Sequence, residues 1–167
     1  TEILLSVSHA LSTTLDQDAL LRHFLRRMAA VLEADTVGIW VVDESGERLE
    51  PLAGYRVPPE SVSRLRATRL SLAGNDFYGE AARTRRPVFS RDVTTDPRVP
   101  AMLRDVLPHR AHLFVPMIVK DRMIGGLAAV WWERVREFSE SELALTEAIA
   151  NQAGVTLENL RLFQENR

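Results

Sequence analysis

Four histidines and no cysteine bound the side-chain chemistry open to this 167-residue chain. Without cysteine there is no disulfide, no thiolate nucleophile, no cysteine metal ligand and no thioether to a chromophore. His9 and His23 fall on helical stretches with no second ligand at metal spacing. His9, in the run SVSHALSTTL, also lacks the acidic or basic follow-on residue of a phosphorylatable histidine helix. His109 follows Pro108 and reads as a solvated loop residue. His112 opens an apolar strand, where alternation sets Arg110, His112 and Phe114 on one face. A single histidine there is expected to be a hydrogen-bonded core residue. Arg64, Arg66 and Arg69, then Arg83, Arg85 and Arg86, form two basic clusters that read as solvated faces. No nucleophile–base–orienter set, paired-carboxylate motif or glycine-rich phosphate loop is present, so no catalytic residue and no enzymatic activity are expected.

The rest of the composition describes a folded domain. Hydrophobic residues make up 46% and net charge is −2, which fits one domain with a real core. The charge gives no electrostatic case for nucleic acid or for an anionic membrane surface. Lys120 is the only lysine, a bias toward arginine that reads as genome composition. No apolar run reaches the ~18–20 residues of a membrane span, and no signal peptide is visible. A cytoplasmic location is therefore expected. The chain begins at Thr1 and ends inside a helical pattern, which reads as a piece of a longer polypeptide.

The elements that must position these residues follow from periodicity. Ile3, Leu4, Val7 and Leu11 recur at helical spacing, and Thr13-Thr14 then predicts a break. Asp16 reads as the N-cap of a second helix, with Leu15 and Leu20 at hydrophobic-staple spacing. That helix places Leu21, Phe24, Leu25, Met28, Val31 and Leu32 on one face, a stripe made for a sheet. Val37–Val42 and Leu49–Tyr55 read as strands about an Asp43-Glu44-Ser45-Gly46 turn, with Pro51 marking an edge or irregularity. Short helices are predicted over Ser61–Arg66, from an Asn75 cap to Arg83, and over Ala101–Val106; Val88–Ser90 reads as a short strand. His112–Val119 and Met123–Trp132 pair as a hairpin about an Asp121-Arg122 turn. Gly125-Gly126 predicts a bulge or a close backbone approach, and Trp131-Trp132 should point one ring inward and one outward.

Ser139-Glu140-Ser141-Glu142 fits a capping box for a last helix that runs to the end of the chain. Ile149, Ala150, Ala153, Leu157 and Leu160 form one apolar arc; Ala144, Ala148, Val155 and Leu162 form a second. One sheet cannot cover both. The same helix of a second subunit, or the Ile3–Leu11 helix, is expected to take the remainder. Val7, Leu11, Ala150, Ala153, Leu157 and Leu160 are the expected dimer-interface residues. The register approximates a heptad over about three repeats.

Four phrases in this order resemble the GAF domain, a small sensory module of signalling proteins: ADTVGIWVVDESGERLEPLAGY, GEAARTRRPVFSRDVTTDPRVP, LFVPMIVKDRMIGGLAAVWW and REFSESELALTEAIANQAGVTLENLRLF. The resemblance covers roughly Leu11 to Phe163. It implies an α+β fold with a central antiparallel sheet of about six strands. The N- and C-terminal helices lie on one face, and an irregular segment roofs a ligand pocket on the other. It divides the chain into a linker or signalling helix over 1–15 and a GAF domain over 16–163, with a terminal helix over 139–167 continuing toward an output domain in the same polypeptide. By the same resemblance Trp40, Tyr55, Phe77, Tyr78, His112 and Phe114 are pocket candidates, unless they fill a closed core. The Asn-Lys-Phe-Asp-Glu constellation of cyclic-nucleotide-binding members cannot be placed. Branches that need cysteine are excluded: bilin attachment, methionine-sulfoxide reduction and the iron-nitrosyl site. Haem held through His112 stays open, although the spacing to Val115-Pro116 departs from the haem-binding pattern. The cofactor is unknown.

The function implied is a non-catalytic sensory domain of a bacterial signalling protein, with a histidine kinase as the expected output. A homodimer would transmit the binding of an unidentified small molecule through its flanking helices. The alternatives are a ligand-free dimerisation module, or the same domain in a nucleotide cyclase, a phosphodiesterase or a transcription regulator.

Overall fold

The computed structural model describes residues 2–165, with side chains described for 17–162. In chain order the elements are α1 (Glu2–Leu32), β1 (Thr36–Val42), β2 (Arg48–Tyr55), α2 (Pro59–Arg66), β3 (Leu70–Ser71), α3 (Tyr78–Thr84), β4 (Val88–Ser90), α4 (Ala101–Val106), β5 (Ala111–Val119), β6 (Arg122–Trp131) and α5 (Glu140–Glu165). The six strands form one antiparallel sheet in the order β3-β2-β1-β6-β5-β4. The fold is the expected α+β one. Among the described residues no helix is long and apolar enough to cross a membrane.

Strand alternation divides the core into two layers. Leu113, Val115 and Met117 of β5, Ile39 of β1 and Leu127 of β6 face α1 and α5, where they meet Phe24, Leu25, Met28, Leu32, Ile149, Ala150 and Ala153. Trp40, Phe114 and Ala128 point to the other face, under Leu49, Leu70, Phe77, Tyr78, Val88 and Leu103. The side chains of both clusters are buried. Each fully buried Leu, Ile or Phe contributes about 1.5–3 kcal/mol from removal of its apolar surface.

Several local expectations are revised. The predicted break at Thr13-Thr14 is absent, and α1 runs unbroken for 31 residues, so Asp16 sits inside the helix instead of capping it. Glu2–Leu32 contains neither glycine nor proline. Threonine costs a helix only about 0.7 kcal/mol relative to alanine, too little to stop it alone. The β5–β6 turn lies one residue earlier than expected. Lys120 and Asp121 occupy its centre with φ of 52° and 64°, as a type I′ hairpin turn requires. Ala150 and Ala153 are 0% exposed within a single chain, so they cannot meet a second subunit. Leu157 packs on the helix-side core and Leu160 is half-buried. The side chains of Val7 and Leu11 lie outside the described residues.

Other signals hold. Trp40 pairs with Pro51 and Ile39 with Ala53, leaving Leu52 bulged outward beside the proline. Met117 pairs with Gly125 and Ile118 with Met123, so Ile124 is bulged. The next two glycines are also close approaches. A β-carbon on Gly125 would stand 2.2 Å from the Trp40 carbonyl oxygen, and one on Gly126 would stand 2.2 Å from the Phe114 ring. The capping box of α5 forms in both directions: Ser139 Oγ accepts the Glu142 N–H, and Glu142 Oε1 accepts the Ser139 N–H, each at 3.2 Å. Trp131 is buried, while Trp132 is 41% exposed.

A cavity with a buried hydrogen-bond chain

The sheet face opposite α1 and α5 is only partly filled. Between it and the segment carrying α2, α3 and α4 lies a cavity of about 410 Å³. Trp40, Ala128 and Val130 form its floor, Val62 and Leu65 of α2 and Leu103 of α4 its apolar walls. Leu52 and Arg66 line it and are also exposed, so its mouth lies on that side. The volume and lining suit a small molecule with an apolar body.

The roof is held by polar contacts that its sequence specifies. Asn75 Oδ1 accepts the backbone N–H groups of Phe77 and Tyr78, both at 2.8 Å, which starts α3 with Tyr78 turned inward. Arg98 donates to both Asp96 oxygens, at 3.0 and 2.8 Å, and to the Phe89 carbonyl at 2.8 Å. Its guanidinium also lies over the Phe77 ring, 5.5 Å from the centroid. This pairing holds the Asp96 carboxyl at about 2. Arg110 grips Asp92 in the same two-pronged way, at 2.9 and 3.0 Å, and with Thr94 holds its carboxyl well below the usual range.

Three titratable side chains line the cavity in a continuous chain. His109 Nδ1 stands 2.7 Å from the Leu107 carbonyl oxygen, and its Nε2 stands 3.1 Å from His112 Nδ1. His112 Nε2 stands 3.1 Å from the Tyr78 hydroxyl. His109 is 6% exposed and His112 2%. Burial pushes His112 well below its ordinary value and lowers His109, with the charge of Arg104 adding to the shift at His109. Burial likewise raises the Tyr78 phenol. All three are therefore neutral near pH 7.

Of the residues expected at a pocket, Trp40, Tyr78 and His112 line the cavity. Phe77 is fully buried behind them, edge-on to Tyr78 and His112 with both centroids at 5.2 Å. Phe114 is fully buried against Gly126. Tyr55 packs toward the helix-side core, under the Arg56 guanidinium. His109 corrects the sequence reading: it is no solvated loop residue but part of the cavity wall. The signal for it was the His-Arg-Ala-His spacing, which puts two imidazoles at the entrance of one strand. Arg66 of the first basic cluster also belongs to the lining, whereas Arg64 and Arg69 donate to backbone carbonyls elsewhere.

The residues do not fit haem. Both ring nitrogens of His112 are engaged, and an iron ligated at Nε2 would have to displace Tyr78 from a fully packed aromatic cluster.

A family model described as GAF domain matches residues 14–158. Among solved structures, the chain resembles a GAF domain/HD domain protein from Geobacter sulfurreducens at 18% identity. That match covers 87% of this chain and 94% of the other, with a TM-score of 0.77. It also resembles a domain described as that of a two-component sensor histidine kinase from Sinorhizobium meliloti, at 22% identity, 90% and 97% coverage and a TM-score of 0.70. A third similar structure is the second GAF domain of DevS from Mycobacterium smegmatis, at 19% identity, 90% and 99% coverage and a TM-score of 0.68. At these identities the likeness is one of fold.

Proposed function

This chain belongs to the GAF domain family, and on that premise we propose that it is the sensory domain of a signalling protein, with a small molecule bound in the cavity as its input. The observation that carries the reading is the cavity of about 410 Å³ with its apolar walls and few polar groups. A domain serving only to join subunits has no need of it. The chain contributes no catalytic step; its role is regulatory, and chemistry belongs to an output domain. A histidine kinase is the output favoured here, supported by the resemblance to a domain described as belonging to one. A cytoplasmic setting goes with that reading.

Transmission follows from the layering. His112 and Phe114 face the cavity side while Leu113, Val115 and Met117 of the same strand support α5. A ligand that prefers one arrangement of the roof therefore biases the strand on which α5 rests, by population shift. In a homodimer the paired helices would carry that bias outward. Support for a dimer comes from α5, where Ala144, Ala148, Val155 and Leu162 form an exposed apolar stripe.

Native mass spectrometry of the purified domain tests both parts. The expected result is a dimer that carries extra mass or gains mass on incubation with a cell metabolite extract. A dimer that never gains mass would favour a ligand-free dimerisation module, and a bare monomer would overturn the dimeric reading.

A further inference from the structure

The chain of contacts at the cavity wall has only one arrangement of protons when its members are neutral. The Leu107 carbonyl can only accept, so His109 Nδ1 carries a hydrogen and His109 Nε2 does not. The bare nitrogen needs a donor, which sets the hydrogen of His112 on Nδ1 and leaves its Nε2 bare. Tyr78 must then donate its hydroxyl hydrogen to His112. Every donor along the chain is consumed, and what remains at its end is the lone pair of the Tyr78 oxygen. Resting on the cavity being a ligand site, we infer that the wall at Tyr78 selects a ligand that donates a hydrogen bond, from a hydroxyl or N–H group set on an apolar, ring-sized body.

The surroundings support this selection. Leu103 and Leu107 flank the histidines, and Ala128 and Val130 lie beneath them. Among the described residues Arg66 is the only charged one of the lining, and Arg104 is the charge that acts on His109. Both are cations, and among the described residues no carboxylate lines the cavity. A ligand presenting only an acceptor to Tyr78 would set lone pair against lone pair. It could be accommodated only by adding a proton at His112 Nε2, which would turn the bond between His112 and Tyr78 around. Arg66 at the mouth and the Trp40 indole N–H remain as donors for acceptor groups elsewhere on the ligand.

Two measurements test the inference. In ¹⁵N-labelled protein, with His109→Asn used for assignment, both imidazoles should show a protonated Nδ1 and a bare Nε2. A hydrogen on Nε2 of His112 would turn the bond to Tyr78 around and overturn the inference. Binding is then compared for 2-naphthol and 2-methoxynaphthalene, which share a ring and an oxygen but differ in the donor. The expected result is about tenfold tighter binding of 2-naphthol, a difference that Tyr78→Phe removes. Equal affinities would sink the donor selection and leave the cavity reading standing. Failure of both compounds to bind would count against the cavity reading itself.

Discussion

His109 and His112 make acid stability a residue-scale property of this domain. Each folded ring titrates below its ordinary value of 6.5 because burial disfavours the imidazolium. In the unfolded chain both protonate near 6.5, so below that pH unfolding takes up protons. The stability contributed is fully present above 6.5 and is lost as pH falls from there through the folded values. The slope is about 1.4 kcal/mol per pH unit for each proton taken up. The lowered carboxyls of Asp92, Asp96 and Glu142 weaken folding only further down, below their unfolded values. Urea denaturation at pH 7, 6 and 5 should therefore show declining stability, with a shallower decline in His109→Asn. A flat profile over that range would mean that the rings titrate normally. Sequence could place His112 on its strand face, because alternation fixes it. For His109 it offered only the spacing to His112, because a residue after Pro108 is buried only by what α4 and β5 fold over it. Nor could spacing tell that Phe114 would be spent filling the space left by Gly126.

At the scale of elements, the join between α1, β6 and α5 depends on one side chain three residues before the capping box, Arg136. Arg136 reaches the Leu32 carbonyl at the end of α1 at 3.2 Å and the Glu142 carboxylate in the first turn of α5 at 2.5 Å. It also lies over the rings of Trp131 and Phe138, 5.0 and 5.1 Å from their centroids. Trp131 Nε1 donates to the carbonyls of Leu32 and Glu33, at 3.3 and 3.0 Å. Together these groups, with Arg134 also donating to the Glu33 carbonyl, satisfy the carbonyls at the end of α1. Arg136→Ala should cost about 2 kcal/mol, the loss of charge-assisted bonds at a largely buried site; a loss below about 0.5 kcal/mol in urea unfolding, the level of an ordinary surface substitution, would show the join to be held by packing alone. The capping box, the terminal hairpin and α5 itself were legible in sequence because each is specified by residues within a few positions of one another. The Arg136 join was not, since its partners come from three elements more than a hundred residues apart in part. The unbroken α1 is hidden for the converse reason: Thr13-Thr14 interrupts the apolar periodicity, yet its propensity cost is too small to end the helix.

For the whole molecule, the two faces of the sheet divide the work, and the division decides where a second subunit can dock. The arc Ile149, Ala150, Ala153 and Leu157 is occupied by the domain's own sheet. What α5 leaves outward is Ala144, Ala148, Val155 and Leu162, spaced by four, seven and seven residues. Val155 is 50% exposed and Leu162 43%. Seven-residue steps keep a stripe on one side of a helix and are those of a paired helical seam. A dimer through α5 would therefore use this second arc, although the sequence reading assigned the interface to the first. Four variants separate the two assignments. Val155→Glu and Leu162→Glu should give monomers in sedimentation while unfolding at nearly the temperature of the parent domain, because the glutamates meet only water in the monomer. Ala150→Glu and Ala153→Glu should instead lower the unfolding temperature steeply, since each would bury an unpaired carboxylate against β5. A dimer that persists in both Val155→Glu and Leu162→Glu would remove α5 from the interface and leave α1 as the element to be tested. The outcome also bears on signalling. The second arc lies on the same helix whose inner face rests on β5, the strand that carries His112 to the cavity. Only if subunits meet through α5 does one strand connect the Tyr78 oxygen to the seam between copies.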